Sequence, residues 1–456
     1  MTLDEIANYI AEDENWSDDV VILPPIENSA AKSDEDSDAS NNEELPCIDH
    51  LPGRILRSEV EVFHDVDYEN EQREATNIPT KPKRPKKSSR SWKISESSSF
   101  TPPSFNYDVP SEFHSIRSSI SCPTDSFYIF FDDTFFENLV NETNLYAFQN
   151  DFYLNVSTDE MKTFIALILR SGYFRLPSKR LHWCKDTDVS SDGASQFMRR
   201  DRFENILRYL HFNNNSLINN DRFYKVRSLF EYFNKKSKIF PFTKELSIDE
   251  SMIKYFGCHG SKQYMRAKPI KFGYKLWTVA SPDGYLYHLE PYCGAGTMKQ
   301  DYELGHGGNI VASLVEECHV KPGSQLYFDN YFASLNLMDH LSGLDISATA
   351  TLRSNRLENC PVLDASSIRK HERGFFETYS DGKNIVTQWL DNKNVTVVSN
   401  TFSSNPAKTV RRYDRSKRKY TNISFPFVIR KYNENMGGVD LADQCINNYR
   451  ISIRSQ

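Results

Sequence analysis

The sequence predicts an α/β protein in three parts: a disordered tail, a helical domain, and a mixed sheet with crossover helices. Three observations carry this. Charge, serine and proline crowd the first 116 residues, apolar residues recur at helical spacing over 117–245, and from Leu246 strand-like runs alternate with helical ones.

The bulk properties fit that division. A chain of 456 residues suffices for two or three domains, or for one large core with tails. The apolar share of 39% is below the globular norm while aromatic residues reach 13%, so a polar end and a real core must coexist. No run of about 18 apolar residues occurs, so no membrane partner is expected. The start, MTLDEIANYIAEDENW, is acidic and lacks the basic and apolar regions of a signal peptide. Cys47, Cys122, Cys184, Cys258, Cys293, Cys318, Cys360 and Cys445 are scattered, with no CxxC pair. Free thiols in a reducing compartment are expected, and no zinc.

Within the first fifty residues Lys32 is the single lysine or arginine, and SDEDSD and NNEEL are acidic blocks. The sign then inverts in KPKRPKKSSRSWK, residues 81–93. Proline and serine keep such a run extended and solvated. Lys81, Lys83, Arg84, Lys86 and Lys87 are expected to act as a nuclear localisation signal or a phosphate-contacting arm, which places the protein in the nucleus. The plainer alternative is a charged linker. The net charge of −7 therefore owes much to the tail and does not exclude nucleic acid.

The helical elements follow in order. SFYIFFDDTFFENLVNETNLYAF places Phe131, Phe135, Phe136, Leu139 and Val140 at helical spacing. STDEMKTFIALILRSGYF opens with Ser157 and Glu160 three residues apart, a capping box, and its apolar run predicts a buried helix ended near Gly172. MRRDRFENILRYLHF puts Phe203, Ile206, Leu207 and Leu210 on one face and Arg199, Arg200, Arg202 and Arg208 on the other. That basic face is a candidate for DNA phosphates, and equally an ordinary solvated face.

From Leu246 the order reads strand, strand, strand, helix, strand, helix, strand. The runs are LSIDESMIKYF, the hairpin KFGYKLWTVASPDGYLYHLEPY, HGGNIVASLVEEC, GSQLYFDNYF, SLNLMDHLSGL and DISATATLR. That is the order of an RNase H-like core, here 246–352, in which the first and fourth strands lie side by side. A β-rich insertion follows over 353–425, including the basic VRRYDRSKRKY, and 426–456 returns to the core as its last helix. Gly437 and Gly438 permit close backbone approach just before that helix.

Three aspartates fall at telling places. Asp249 lies in the first strand, Asp329 at the end of the fourth, and Asp440 near the start of the last helix. Phosphodiester cleavage by two metals needs carboxylates that hold ions about 3.5–4 Å apart, and oxygen donors suit Mg²⁺ or Mn²⁺. Asp249 would bridge, Asp329 would come from the neighbouring strand, and Asp440 and Asp443 share one helix face. Each acid alone has an ordinary reading: a turn residue at a strand end, or a first-turn acid favoured by the helix dipole. Glu250, on the other strand face, could replace Asp249.

LSIDESMIKYFG, GSKQYMRAKPIKFGYKLW, LYFDNYF and NMGGVDLADQ resemble the transposase domain of the piggyBac superfamily, and NLVNETNLYA, MRRDRFENILRYLHF and DRFYKVRSLF are similar to its helical region. The resemblance spans roughly 117–456. It implies that Asp249, Asp329 and Asp440 are the catalytic triad and Asp443 a fourth functional acid, all serving two Mg²⁺ or Mn²⁺ ions. It implies an RNase H-like catalytic core with a β-rich insertion and a helical dimerisation and DNA-binding domain of a homodimer. The implied reaction is excision through hairpin ends and joining of double-stranded DNA at TTAA targets. Lys262, Arg266, Lys268 and Lys271, with Arg411 and Arg412, join Arg199, Arg200 and Arg202 as candidate DNA contacts. In the family the chain runs on well past the third acid, commonly into a zinc-binding module; here Gln456 stands thirteen residues after Asp443. The helical domain is therefore expected to pack poorly, leaving Trp183, Trp277 and neighbouring apolar faces partly uncovered. Two functions follow: a DDD-type transposase, or a domesticated or truncated nuclear DNA-binding protein without transposition activity.

Overall fold

The structure is a computed structural model. It describes residues 19–22, 60–63, 90–106, 109, 111–186, 193–265, 268–294, 300–414 and 418–453. The run 81–87 and Arg266 lie outside the described residues.

One mixed sheet organises the chain. Its central strand β4 (Glu245–Lys254) pairs antiparallel with β6 (Phe272–Ala280) on one side and parallel with β8 (Gln325–Phe328) on the other. β7 (Leu286–Pro291) returns along β6 as the expected hairpin, and β9 (Ser347–Thr351) runs parallel to β8. β5 (Lys262–Tyr264), absent from the expected order, pairs with the start of β6. Parallel neighbours need crossovers, and helices Gly305–Glu317 and Leu335–Gly343 supply them. They bury Ile310, Val311, Leu314, Leu337, Met338 and Leu341 against Leu246, Ile248, Leu326 and Phe328 of the strands. The predicted RNase H-like order is thus observed.

The strands β10 (Phe376–Ser380), β11 (Ile385–Leu390) and β12 (Asn394–Ser399) do not stand apart as an inserted unit. β12 pairs antiparallel with β9, so the expected insertion continues the core sheet, and only the hairpin of β13 (Lys408–Asp414) with β14 (Lys419–Phe425) is separate. An outer strand exposes a row of unpaired backbone groups, and β12 covers that edge.

The tail expected to be disordered to residue 116 differs from residue 90 onward. Lys93–Ile94 (β3) pairs with β10, Trp92 packs on the core, and Ser99 N–H donates to Gly382 O at 2.6 Å. Arg90 anchors this strap through Asp339, Glu358 and Asp381, each at 2.7 Å. Asp19–Ile22 (β1) and Val60–Phe63 (β2) add an antiparallel pair beside β5.

Helices α1 (Ser111–Ser119), α2 (Pro123–Phe130), α3 (Asp133–Gln149), α4 (Thr158–Tyr173), α5 (Ala194–Phe197), α6 (Arg200–Tyr209) and α7 (Tyr224–Ser237) lie between β3 and β4 in the chain. The predicted capping box is present at α4: Glu160 N–H donates to Ser157 Oγ and Ser157 N–H to the Glu160 carboxylate. The first predicted helix is split at Asp132. Its carboxylate accepts from Phe135 N–H as the N-cap of α3 and holds Lys236 and Tyr232 of α7, so a new helix starts there.

The helical domain is closed by the residues that follow the last helix. Ser452 bonds to Ser171 through both its N–H and its hydroxyl, and Ile453 packs on the helical core. Trp277, expected to be partly uncovered, is fully buried in the sheet core, and half-buried Trp183 donates to Met198 O at 2.8 Å. Leu169 and Tyr173 of α4 and Ile446 and Tyr449 of the last segment are exposed.

Candidate active site

β4 builds the site by alternation. Ser247, Asp249 and Ser251 share one face, and that face receives the last two helices, Phe427–Asn435 and Gly438–Asn448. Ser247 Oγ donates to Met436 O at 2.8 Å, and Ser251 Oγ donates to Asp443 Oδ1 at 2.5 Å. The S-x-D-x-S spacing was the readable signal that this face of a central strand accepts polar partners.

Asp249 and Asp329 are carried by neighbouring parallel strands whose register pairs Ile248 with Phe328, so each acid stands one residue beyond a matched pair. Asp249 Oδ1 accepts from Glu250 N–H and Asp329 Oδ1 from Tyr331 N–H, both at 2.9 Å. Arg356 Nη1 donates to the carbonyls of Asn330, Tyr331 and Ala333, which fixes the loop leaving Asp329. Asp440 comes from the first turn of the last helix with its side chain 71% exposed, so the site opens to solvent on that side.

Lys268, expected to contact DNA, stands among the acids instead. Its Nζ lies 3.7 Å from Asp249 Oδ2, 3.5 Å from Glu250 Oε1 and 3.8 Å from Asp440 Oδ1. The sum of 3.7 and 3.8 Å bounds the separation of the Asp249 and Asp440 oxygens at 7.5 Å. The physical reason is charge: an ammonium beside converging carboxylates compensates their repulsion.

The titration of these groups follows from burial and neighbours. Burial, then the charges of Glu250 and Asp329, hold the Asp249 carboxyl well above the usual range. Burial and Glu250 push Asp329 up to about 6. Burial raises Asp443 against the opposing Ser251 hydrogen bond. Burial would raise Glu250 as well, but Lys275 and Lys268 outweigh it and hold Glu250 low. The Tyr432 phenol is raised by burial and by the charges of Asp329, Asp249 and Asp440, so one side chain feels all three acids. Lys275, Arg356 and Tyr432 were not singled out in the sequence, since their place depends on contacts between distant segments, whereas Glu250 was named there as a possible replacement for Asp249.

The acids fit a hard divalent ion chemically: their donors are carboxylate oxygens, and burial leaves their charge poorly balanced. They form an open set; the described residues bring a different trio of ligand atoms within 4.8 Å of one another.

The other candidate DNA residues divide. Arg199 and Arg200 are exposed, Arg200 beside Asp201 at 3.0 Å. Arg202 is structural: it forms an ion pair with Glu160 at 2.8 Å and donates to the carbonyls of Leu154 and Asn155. Lys262 is buried in β5, and that burial lowers its pKa, so it does not offer an outward charge. Lys271 is half-buried. On the separate hairpin Arg411 is exposed and lies 4.3 Å over the Tyr420 ring, while Arg412 is 3.7 Å from Asp391.

Gly438 sets the approach of the last helix. A Cβ there would meet Ser281 O at 2.1 Å, whereas at Gly437 nothing lies within 4 Å, so only the second glycine meets the expectation of close contact. Gly438→Ala must push the helix off the β6–β7 turn. A loss of about 1–3 kcal/mol in urea unfolding is expected, the cost of overpacking, with Gly437→Ala costing less. Equal losses for the two variants would contradict this.

The family model described as Transposase IS4 matches residues 122–456. The chain is similar to human PiggyBac transposable element-derived protein 3, with 34% identity over 484 residues covering 100% of this chain and 80% of that protein. It is similar to human PiggyBac transposable element-derived protein 2, with 33% identity over 445 residues covering 95% of this chain and 74% of that one. Among solved structures, a cryo-EM piggyBac transposase synaptic complex with hairpin DNA aligns with a TM-score of 0.59 at 22% identity. That alignment covers 73% of this chain and 70% of the other, a likeness of fold.

Proposed function

The chain belongs to the piggyBac transposase family, and on that premise we propose that it cuts and rejoins DNA phosphodiesters at Asp249, Asp329 and Asp440. The observation that carries the reading is the meeting of two acids on adjacent parallel strands with a third from a helix, around one cation. Two Mg²⁺ or Mn²⁺ ions, when bound, would supply charge to the attacking and leaving oxygens of the phosphodiester. Backbone N–H groups orient Asp249 and Asp329, and Ser251 holds Asp443, which supports the Asp440 turn of the same helix. The exposed face of Asp440 leaves a path for a duplex.

In this reading Arg199, Arg200 and Lys271 contact phosphates, with Arg411 stacked on Tyr420 as an exposed platform. The substrates are element ends and TTAA targets, the working form is a homodimer, and the compartment is the nucleus. A second reading, DNA binding without cleavage, is favoured by Lys268, whose ammonium stands among the acids and offsets part of their charge.

Full-length protein incubated with Mn²⁺ or Mg²⁺ and DNA carrying candidate ends is expected to nick it, and Asp249→Ala to lose nicking by at least about a hundredfold. DNA bound but never nicked, with either ion, would leave the second reading standing and the first one refuted.

A further inference from the structure

A second cluster of ligating side chains lies away from the acids described above. His288 and Glu290 stand two residues apart on β7, so both project to one face of that strand. Glu317 is the last residue of the crossover helix Gly305–Glu317. One imidazole nitrogen and one oxygen from each carboxylate all lie within 4.8 Å of one another.

His288 is the independent observation. Its residue is 6% exposed, yet neither ring nitrogen makes a hydrogen bond. Nε2 approaches Glu317 Oε2 at 3.2 Å, a charge contact whose geometry is not that of a hydrogen bond. A buried imidazole left in this way costs free energy unless something occupies the space it faces. The β6–β7 ladder shifts register between Val279 and Ala280, opposite His288, and such an irregularity re-aims side chains.

Two cations border the trio. Arg227 donates to Glu290 Oε1 at 3.0 Å but is shared with Asp221 at 2.6 Å, and Glu290 retains its second oxygen. Lys238 Nζ donates to the backbone carbonyl of Glu317 at 2.9 Å. The trio also sits at a helix C-terminus, where the peptide dipoles favour positive charge.

We infer that His288, Glu290 and Glu317 form a structural site for one Zn²⁺-class ion, clipping the edge strand β7 to the end of the crossover helix. One nitrogen and two carboxylate donors suit a borderline ion such as Zn²⁺, with water completing four-coordination, and do not suit Mg²⁺, which prefers oxygen alone. The site is distinct in donors and in place from the aspartates on β4 and β8. The α7 helix abuts it, since Asn234 bonds to both backbone groups of Leu289. The ion therefore steadies the joint between the helical domain and the sheet.

The test is equilibrium dialysis of the full chain against Zn²⁺ in excess Mg²⁺, with a Co²⁺ absorption spectrum as a second readout. One Zn²⁺ per chain is expected to resist Mg²⁺, to persist in Asp249→Ala, and to weaken at least about tenfold in Glu317→Gln. Glu317 is partly exposed, so that variant keeps the fold where His288→Ala risks losing it. Visible Co²⁺ bands should appear in the parent and fade in Glu317→Gln. Absence of Zn²⁺ at saturation, or equal binding by parent and Glu317→Gln, would overturn the proposal.

Discussion

Asp329→Asn is expected to melt higher than the parent near neutral pH without divalent ions, and to nick no DNA. Burial and the charge of Glu250 raise the Asp329 carboxyl to about 6, so the folded chain holds this proton more tightly than the unfolded chain does. The group's contribution is therefore complete below its unfolded value of about 4 and is lost as pH rises through about 6. At pH 7.5 the gap from 3.8 to about 6 corresponds to a penalty on the order of 3 kcal/mol, which asparagine avoids. Asp249 shifts in the same direction and deepens the fall. Melting curves from pH 4 to 8 in a chelator should show the parent losing stability across that window and the variant losing less. Adding Mn²⁺ should raise the parent more than the variant. A variant that melts below the parent at pH 7.5 would show that the carboxylate is well compensated and the account wrong.

Arg90→Ala is expected to remove about 3–5 kcal/mol from folding stability, the cost of breaking a buried ion pair from one side. The Arg90 side chain is 12% exposed and Asp381 only 3%, so little water can replace the guanidinium. Burial opposes its charge, but hydrogen bonds to Asp339, Asp381 and Glu358 more than offset this and raise its pKa. Removing it takes a shared cation from three acids on separate segments. Asp339 also accepts from Asn384 and Asp381 from two backbone N–H groups, so their orientations loosen together. Arg90→Lys should recover only part of the loss, because an ammonium lacks the planar fork. Urea unfolding measures the difference, and a cost under about 1 kcal/mol for Arg90→Ala would place the strap outside the cooperative unit.

Much of this was legible in the residues. The hairpin, the two crossover helices and the adjacency of β4 and β8 follow from periodicity and turn chemistry, and Ser157 with Glu160 marked the start of α4. What could not be read depends on segments far apart in the chain. Asp132 reads as one more polar residue in a helix until Tyr232 and Lys236, about a hundred residues on, hold it as a cap. Lys262 and Lys268 look alike in sequence, yet one is buried in β5 and the other is gathered among carboxylates. Arg90 falls within the basic run 81–93 and reads as part of it, while its three partners lie at 339, 358 and 381. The S-x-D-x-S face of β4 was available from alternation alone; which helix meets it was not.

The last helix is tethered at both ends. At its start Gly438 is seated against Ser281, and beyond its end a Cβ on Gly172 would meet Tyr449 O at 2.2 Å, with Ser452 fastened to Ser171. Eleven residues of helix at about 1.5 Å each make this a strut roughly 16 Å long. Asp440 rides on its near end and α4 on its far end. A tilt of the helical layer against the sheet therefore levers the third carboxylate relative to the two that the strands hold fixed.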